Sequence, residues 1–424
     1  MKIIIDTILD LEKKHHLLEW KIADIYAWQS ARAKIYQLLL NTIIPNNSGH
    51  KKKNLIKKYL NFSKRIFMNS LFYNPFISFD KYDTLVFESD RRYFVEGKYI
   101  DIYTKYFCDE LEKENILYKK IKPKHQDFIH IISLFISNFI KPKICKYDFE
   151  KINNLECEIN DLLGVKIDIS AIFIQEIKRF KSSYPFYSLL LKIKNIKNVY
   201  LINSTDKASL IKAAKDLNII VNELQHGLIV KEGLIANYPN TVEDSLAYFP
   251  NKFFIWEKLN MVTSKLPLSD KNIINFKNKH LQNMLEKNKD IAKKDNQILV
   301  ISQPYGSSEI LKYILENSKE MQKWNFIYKM HPVENHDSFR DAIINDFSKY
   351  SNITFVNNNQ SVYSLMSESS YVVGIFSTAL FEASYFGCKI ILLNLPGVEF
   401  SFSLIKNSNA ILLDTEEKLS HVLK

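Results

Sequence analysis

The feature that most limits the folds open to this chain is an alternation, from Ile298 to Leu393, of short apolar runs with stretches of helical periodicity. Ile298–Ser302 predicts a strand, Ser307–Asn317 a helix, Asn325–Met330 a strand, Phe339–Ser348 a helix and Ile353–Val356 a strand. Val362–Ser367 then predicts a helix, Tyr371–Ile375 a strand, Ser377–Phe386 a helix and Lys389–Leu393 a strand. Strands joined through helices in this way lie parallel, because only a crossover returns the chain to the same end of the sheet. The second half is therefore expected to be a Rossmann-like unit, which binds ligands beyond the carboxyl ends of its strands.

The same alternation occurs once upstream: Val199–Ile202 predicts a strand, Lys207–Leu217 a helix and Ile219–Leu224 a second strand. Thr84–Ser89 predicts an earlier strand that delivers a loop, Ser-Asp-Arg-Arg, and Asp101–Lys113 a helix, with largely helical material following to about residue 195. At the N-terminus, residues 6–44 carry helical spacing, with Trp20, Trp28 and Arg32 near one face. Residues 45–62 read as an exposed connection. The polar, mostly helical segment Lys265–Asp295 marks the passage between two domains, 1–265 and 266–424.

Composition removes whole classes of function. A chain of 424 residues, 46% of them hydrophobic, buries a large core and is not disordered. Its four cysteines are scattered without metal spacing and read as free thiols of a cytoplasmic protein. The first residues turn charged too soon for a signal peptide, and the longest apolar run, Phe128–Ile140, is too short to span a bilayer. A net charge of +11 suits anionic partners, including the inner face of a membrane, but no nucleic-acid-binding module accompanies it.

The residues that carry chemistry stand at predicted strand ends. In Gly374-Ile375-Phe376-Ser377-Thr378 a strand turns into a helix, so hydroxyls and backbone N–H groups converge on one spot suited to a phosphate. Glu382 lies about one turn further on, where it can accept from ribose hydroxyls. His331, with its direction set by Pro332, can donate to a phosphate and steady the charge of a departing nucleotide. In the first half, Gln225-His226-Gly227 ends a strand, and Glu223 two residues earlier serves either as a general base or to orient His226. The chain has no DxD metal motif, no P-loop, no GxGxxG and no GxSxG, which leaves a metal-independent transfer with no cofactor.

With these residues identified, the chain resembles bacterial GT-B glycosyltransferases of capsule and lipopolysaccharide synthesis. ELQHGLIVKEGLIANYP and FPNKFFIWEK look like their middle segment, and KMHP looks like the His-Pro motif of bacterial sialyltransferases, polysialyltransferases and Kdo transferases. GIFSTALFEASYFGCKIILLN looks like their nucleotide loop, and ESDRRYFVEGKYIDIY resembles a further segment of such proteins. The resemblance implies a GT-B-like α/β fold: two Rossmann-like domains facing a cleft, with a helical N-terminal extension and a helical insertion. It also implies that His331, Ser377 and Thr378 contact the nucleotide phosphate. The acidic base motif of the sialyltransferases, Asp/Glu-Asp-Gly, is not present at its spacing.

The expected activity is glycosyl transfer from a nucleotide donor, preferably a CMP-activated acidic sugar such as sialic acid or Kdo, to a glycan or lipid-linked glycan. Pro332 and Gly374 join His331, Ser377, Thr378 and Glu382 on the donor side. Asp90, Arg91, Arg92 and Tyr238 belong with His226 and Glu223 on the acceptor side, with Asp90 and His331 as further catalytic candidates. Three alternatives share this signature: a CDP-polyol phosphotransferase, a sugar-nucleotide epimerase and an inactive GT-B-like binding module.

Overall fold

A computed structural model describes residues 2–43, 67–89, 92–95, 98–123, 126–257, 262–303, 306–331, 350–356, 360–406 and 410–423. The chain opens with helix α1 (Lys2–His15), a hairpin of β1 (Lys21–Ile22) and β2 (Ile25–Tyr26), and helix α2 (Ala27–Ile43). The first domain contains β3 (Thr84–Phe87), the hairpin β4 (Tyr93–Val95) and β5 (Lys98–Ile100), α3 (Lys105–Lys113) and β6 (Tyr118–Ile121). Helices α4 (Phe128–Ser137), α5 (Lys146–Leu163) and α6 (Ile169–Ile193) follow. The domain continues with β7 (Asn198–Leu201), α7 (Ala208–Asp216), β8 (Ile220–Leu224), β9 (Lys252–Trp256) and β10 (Ile273–Phe276). Helix α8 (Lys279–Lys287) leads to the second domain, which begins with β11 (Lys294–Ile301), α9 (Ser307–Glu320), β12 (Asn325–Lys329) and β13 (Ile353–Val356). It ends with α10 (Val362–Glu368), β14 (Ser369–Gly374), α11 (Thr378–Tyr385), β15 (Lys389–Leu393), α12 (Phe402–Lys406) and β16 (Ala410–Leu413).

Among the described residues the long strands form two six-stranded sheets, ordered β10-β9-β8-β7-β3-β6 and β13-β12-β11-β14-β15-β16. Every pairing in both is parallel. In the second sheet the chain starts at β11, moves outward to β13, then returns to the other side of β11 with β14. That reversal opens a crevice at the carboxyl ends of β11 and β14. The first sheet reverses between β3 and β7. The central strands read as continuous apolar runs because both faces are covered: Ile298 to Val300, Val372, Val373 and Ile391 to Leu393 have no exposed surface. The expected GT-B-like fold of two Rossmann-like domains is therefore present.

Four expectations change. Residues 6–44 do not form one helix: His16, Ala23 and Asp24 have φ of 48°, 51° and 65°, which breaks the helix into α1, a hairpin and α2. Trp20 consequently sits at the corner, its Nε1 donating to His15 O at 2.9 Å, while Trp28 and Arg32 share the buried face of α2. The helix expected from Asp101 begins at Lys105, because the Asp101 carboxylate caps the preceding turn, accepting from Ser89 N at 2.7 Å, Tyr103 N at 3.0 Å and Thr104 Oγ1 at 2.9 Å. Strand β6 interrupts the stretch expected to be helical. Finally, β10 extends the first sheet beyond residue 265, so the passage to the second domain falls within 277–293. The helix expected over 339–348 lies outside the described residues.

Candidate functional site between the two sheets

The carboxyl edges of the two sheets meet. A methyl group placed on Gly227, just beyond β8, would lie 3.7 Å from Thr378 Cγ2 at the start of α11. Tyr103 of the first domain packs against the core of the second, stacks on Trp256 at 6.3 Å and meets the His226 ring edge-on at 6.0 Å.

On the second domain, Ser377 is the N-cap of α11: its φ of −170° is extended backbone and its Oγ accepts from Ala379 N at 3.2 Å. Thr378 opens the helix, so the helix N-terminus stands just beyond the carboxyl end of β14, near Gly227 of the other domain. Gly374 is closely packed: a Cβ there would lie a tight 3.1 Å from Leu380 and 3.3 Å from Ile301 O. Gln303, beyond β11, accepts from Phe376 N at 3.1 Å and ties the two loops of the crevice together. His331 follows β12 at the same edge, half-buried beside the buried Met330. It stands two strands from Ser377, about 10 Å along the sheet, with Gln303 between them. Pro332 lies outside the described residues.

Glu382 is buried, with 9% of its surface exposed. Burial pushes its carboxyl up to about 7, against a smaller opposing influence of the nearby Tyr363 hydroxyl.

On the first domain, Gln225 shapes the loop that presents His226: its Nε2 donates to Gly227 O at 2.8 Å and its Oε1 accepts from Trp256 N at 2.7 Å. Glu223 is not brought beside His226 as an open base. It is buried, its Oε1 accepts from Ser204 N at 3.4 Å, and burial raises its carboxyl to about 8. Tyr238 is likewise buried, with the Arg32 guanidinium 4.1 Å from its ring centroid, and so presents little surface to an acceptor. Arg92 binds Glu88 at 2.8 Å, and Lys122 reaches the same oxygen at 3.1 Å, at the carboxyl end of β3 where the first sheet reverses. Burial alone would raise Glu88, but these two cations hold it below the ordinary carboxylate range. Asp90 and Arg91 lie outside the described residues. No three His, Cys, Asp or Glu side chains converge as a metal site among the described residues, and no helix among them is long and apolar enough to cross a membrane.

Gln303, Tyr103, Tyr363 and His280 were not expected at the site. Gln303 had a signal, because Ser302-Gln303 ends a predicted strand; the others come from helices and a loop and carry no local mark.

No protein-family signature matches the chain, and no curated protein matches it in sequence. Among solved structures it is similar to UDP-GlcNAc 2-epimerase from Neisseria meningitidis bound to UDP-GlcNAc, at 17% identity and a TM-score of 0.45, covering 78% of this chain and 87% of that one. MurG from Acinetobacter baumannii is similar at 11% identity and a TM-score of 0.45, over 81% and 89% of the two chains. A glycosyltransferase from Rickettsia africae is similar at 14% identity and a TM-score of 0.38, over 79% and 85%. The likeness is one of general architecture.

Proposed function

We propose that the protein transfers a sugar from a nucleotide donor to a hydroxyl of a surface polysaccharide or lipopolysaccharide precursor, on the cytoplasmic face of the inner membrane. The observation that carries this reading is the capped N-terminus of α11, which opens at the sheet reversal beside the His226 loop of the other domain: a Cβ built on Gly227 would lie 3.7 Å from Thr378 Cγ2. A helix N-terminus there favours a donor phosphate and steadies the charge it gains on leaving.

The donor phosphate rests on Ser377, Thr378 and the α11 backbone, with His331 donating from the neighbouring loop and Glu382 accepting from the ribose. The acceptor enters between the domains near Asp90, Arg91, Arg92 and His226. Its hydroxyl oxygen attacks the anomeric carbon as the bond to the phosphate oxygen breaks. The electron pair leaves with the nucleotide, and His226 takes the acceptor proton. His226 is preferred to Glu223 because Glu223 is buried and keeps its own proton near neutrality. The transfer needs no metal ion, and the preferred donor is a CMP-activated acidic sugar, on the His-Pro motif and the missing DxD.

Thermal unfolding with CMP, CDP, UDP, GDP and dTDP, with and without magnesium, tests this reading, because a ligand that binds the native state raises the apparent Tm. The expected result is a metal-independent rise with CMP that disappears in His331→Ala. A rise with another nucleotide overturns the donor, and no rise with any overturns the enzyme in favour of a binding module. Product mass separates glycosyl transfer from polyol-phosphate transfer, and turnover without acceptor identifies an epimerase.

A further inference from the structure

The first domain carries an apolar surface that the cleft does not use. Residues 67–72 are helical, with the usual amphipathic order reversed. The polar Asn69 is 3% exposed, while Phe67, Met68, Leu71 and Phe72 turn outward, Phe72 with 66% of its surface exposed. Phe67 and Leu71 are four residues apart, as are Met68 and Phe72, so the four side chains form one outward face. A surface helix in water ordinarily buries such a face and exposes its asparagine. The chain beyond it continues the pattern, since Ile77 is more than half exposed and Phe79 entirely so. The surface then runs on to α4, where Phe76 meets Phe128 edge-on at 6.4 Å. Phe128, Ile132 and Phe135 recur at helical spacing and share a stripe. At its far end the exposed rings of Phe135 and Phe139 stand 5.3 Å apart, Phe139 with 71% of its surface exposed. The end of α6 joins from another side: Lys194 Nζ donates to Ser78 O at 2.6 Å, next to the exposed Ile193.

The charge around this surface is one-sided. Lys81, Lys141, Lys143 and Lys192 are exposed, whereas the carboxylates of Asp80 and Asp83 are taken up by Lys119 at 2.6 Å and Lys197 at 3.3 Å. Protruding rings within a border of lysines match a bilayer with anionic headgroups. The rings enter the boundary between headgroups and acyl chains, and the ammonium groups stay with the phosphates. We propose that residues 67–79, together with Phe135 and Phe139, dock the first domain on an anionic membrane. A second copy of this chain is a poorer occupant, because a symmetric contact would set the same lysine border against itself. The inference gives a surface to the membrane location proposed above and depends on nothing in the donor subsite.

The test is co-sedimentation of the full chain with vesicles of equal parts phosphatidylglycerol and phosphatidylethanolamine, against vesicles of phosphatidylcholine alone. The wild type should bind the anionic vesicles and not the phosphatidylcholine ones. Its binding should weaken between about 0.05 and about 0.5 M salt as the lysines are screened. Phe72→Ser with Phe79→Ser, and separately Lys141→Glu with Lys143→Glu, should each lower the affinity at least about tenfold. All four side chains are exposed, so these variants should keep the wild-type Tm. Should the aromatic pair fail to fold, Phe139→Ser makes the same test at the other end of the surface. No binding to anionic vesicles overturns the proposal. So does binding that the aromatic substitutions leave unchanged, which is adsorption by charge alone. A dimer in sedimentation velocity that Phe72→Ser with Phe79→Ser dissolves assigns the face to a second copy and overturns the proposal too. Vesicle binding without a thermal shift by any nucleotide retains this surface and removes the proposed transfer, so the two readings fail separately.

Discussion

Burial without a cation leaves a carboxyl group protonated far above its range in water, and Glu223 is the clearest instance outside the donor subsite. Folded, it keeps its proton up to about pH 8, whereas the unfolded chain releases it near 4.5. Between those values folding must take up a proton, so stability falls as pH rises from about 4.5 to about 8 and is level above that. Glu223→Gln removes the titration while keeping the size of the side chain and an acceptor for Ser204 N. Its Tm should gain on the wild type steadily from pH 5 to pH 8, by circular dichroism; a constant offset would show that Glu223 does not titrate in this window. The residue types at strand ends were legible in sequence because a parallel sheet delivers them to one edge whatever their detailed geometry. The direction of Glu223 was not, since the run Ile219 to Leu224 lacks the clean alternation that would assign its faces. The burial of Tyr238 was equally hidden, because its covering residue, Arg32, lies some two hundred positions earlier in sequence.

That arginine is where the N-terminal helices are attached. Arg32 of α2 pairs with Glu12 of α1, donates to Leu234 O and, at 2.8 Å, to Asn237 O, and all but 2% of its surface is covered. Trp28 Nε1 also donates to Glu12, at 2.7 Å. The pair therefore fastens α1 and α2 to the segment that follows the His226 loop. Truncating one partner strands the other's charge, so Arg32→Ala should cost about 3–5 kcal/mol in urea unfolding. Replacing both, as Glu12→Leu with Arg32→Met, should cost clearly less; equal losses would mean that the carbonyl contacts, not the ion pair, hold the helices. Elements of this kind divide by burial in how far they can be read from sequence. Strands β13 and β15 agree with their predicted bounds, and β12 and β14 nearly so, because their apolar runs are bounded by polar turns. Strand β6, Tyr-Lys-Lys-Ile, is a sheet edge covered on fewer sides, and it carries no apolar run that distinguishes it from the neighbouring polar sequence.

At the scale of the whole molecule, the proposed chemistry requires the two carboxyl edges to stand close enough that water is excluded when donor and acceptor are bound. Gly227 and Thr378 mark the place where this spacing is set. A single methyl on Gly227 makes an ordinary contact with Thr378, so Gly227→Ala should leave nucleotide binding and transfer within about twofold of wild type. A ring does not fit that gap without moving one domain away from the other. The donor groups Ser377, Thr378, Glu382 and His331 all belong to the second domain, whereas His226 and the acceptor side belong to the first. Gly227→Phe should therefore retain nucleotide binding, measured by calorimetry, while transfer to acceptor falls by at least about a hundredfold, the order of loss expected when reacting groups are misplaced by an ångström. An equal loss of nucleotide binding would mean that the donor subsite is completed by the first domain. Undiminished transfer would mean that the edges meet elsewhere during the reaction, and that His226 is not the group that takes the acceptor proton.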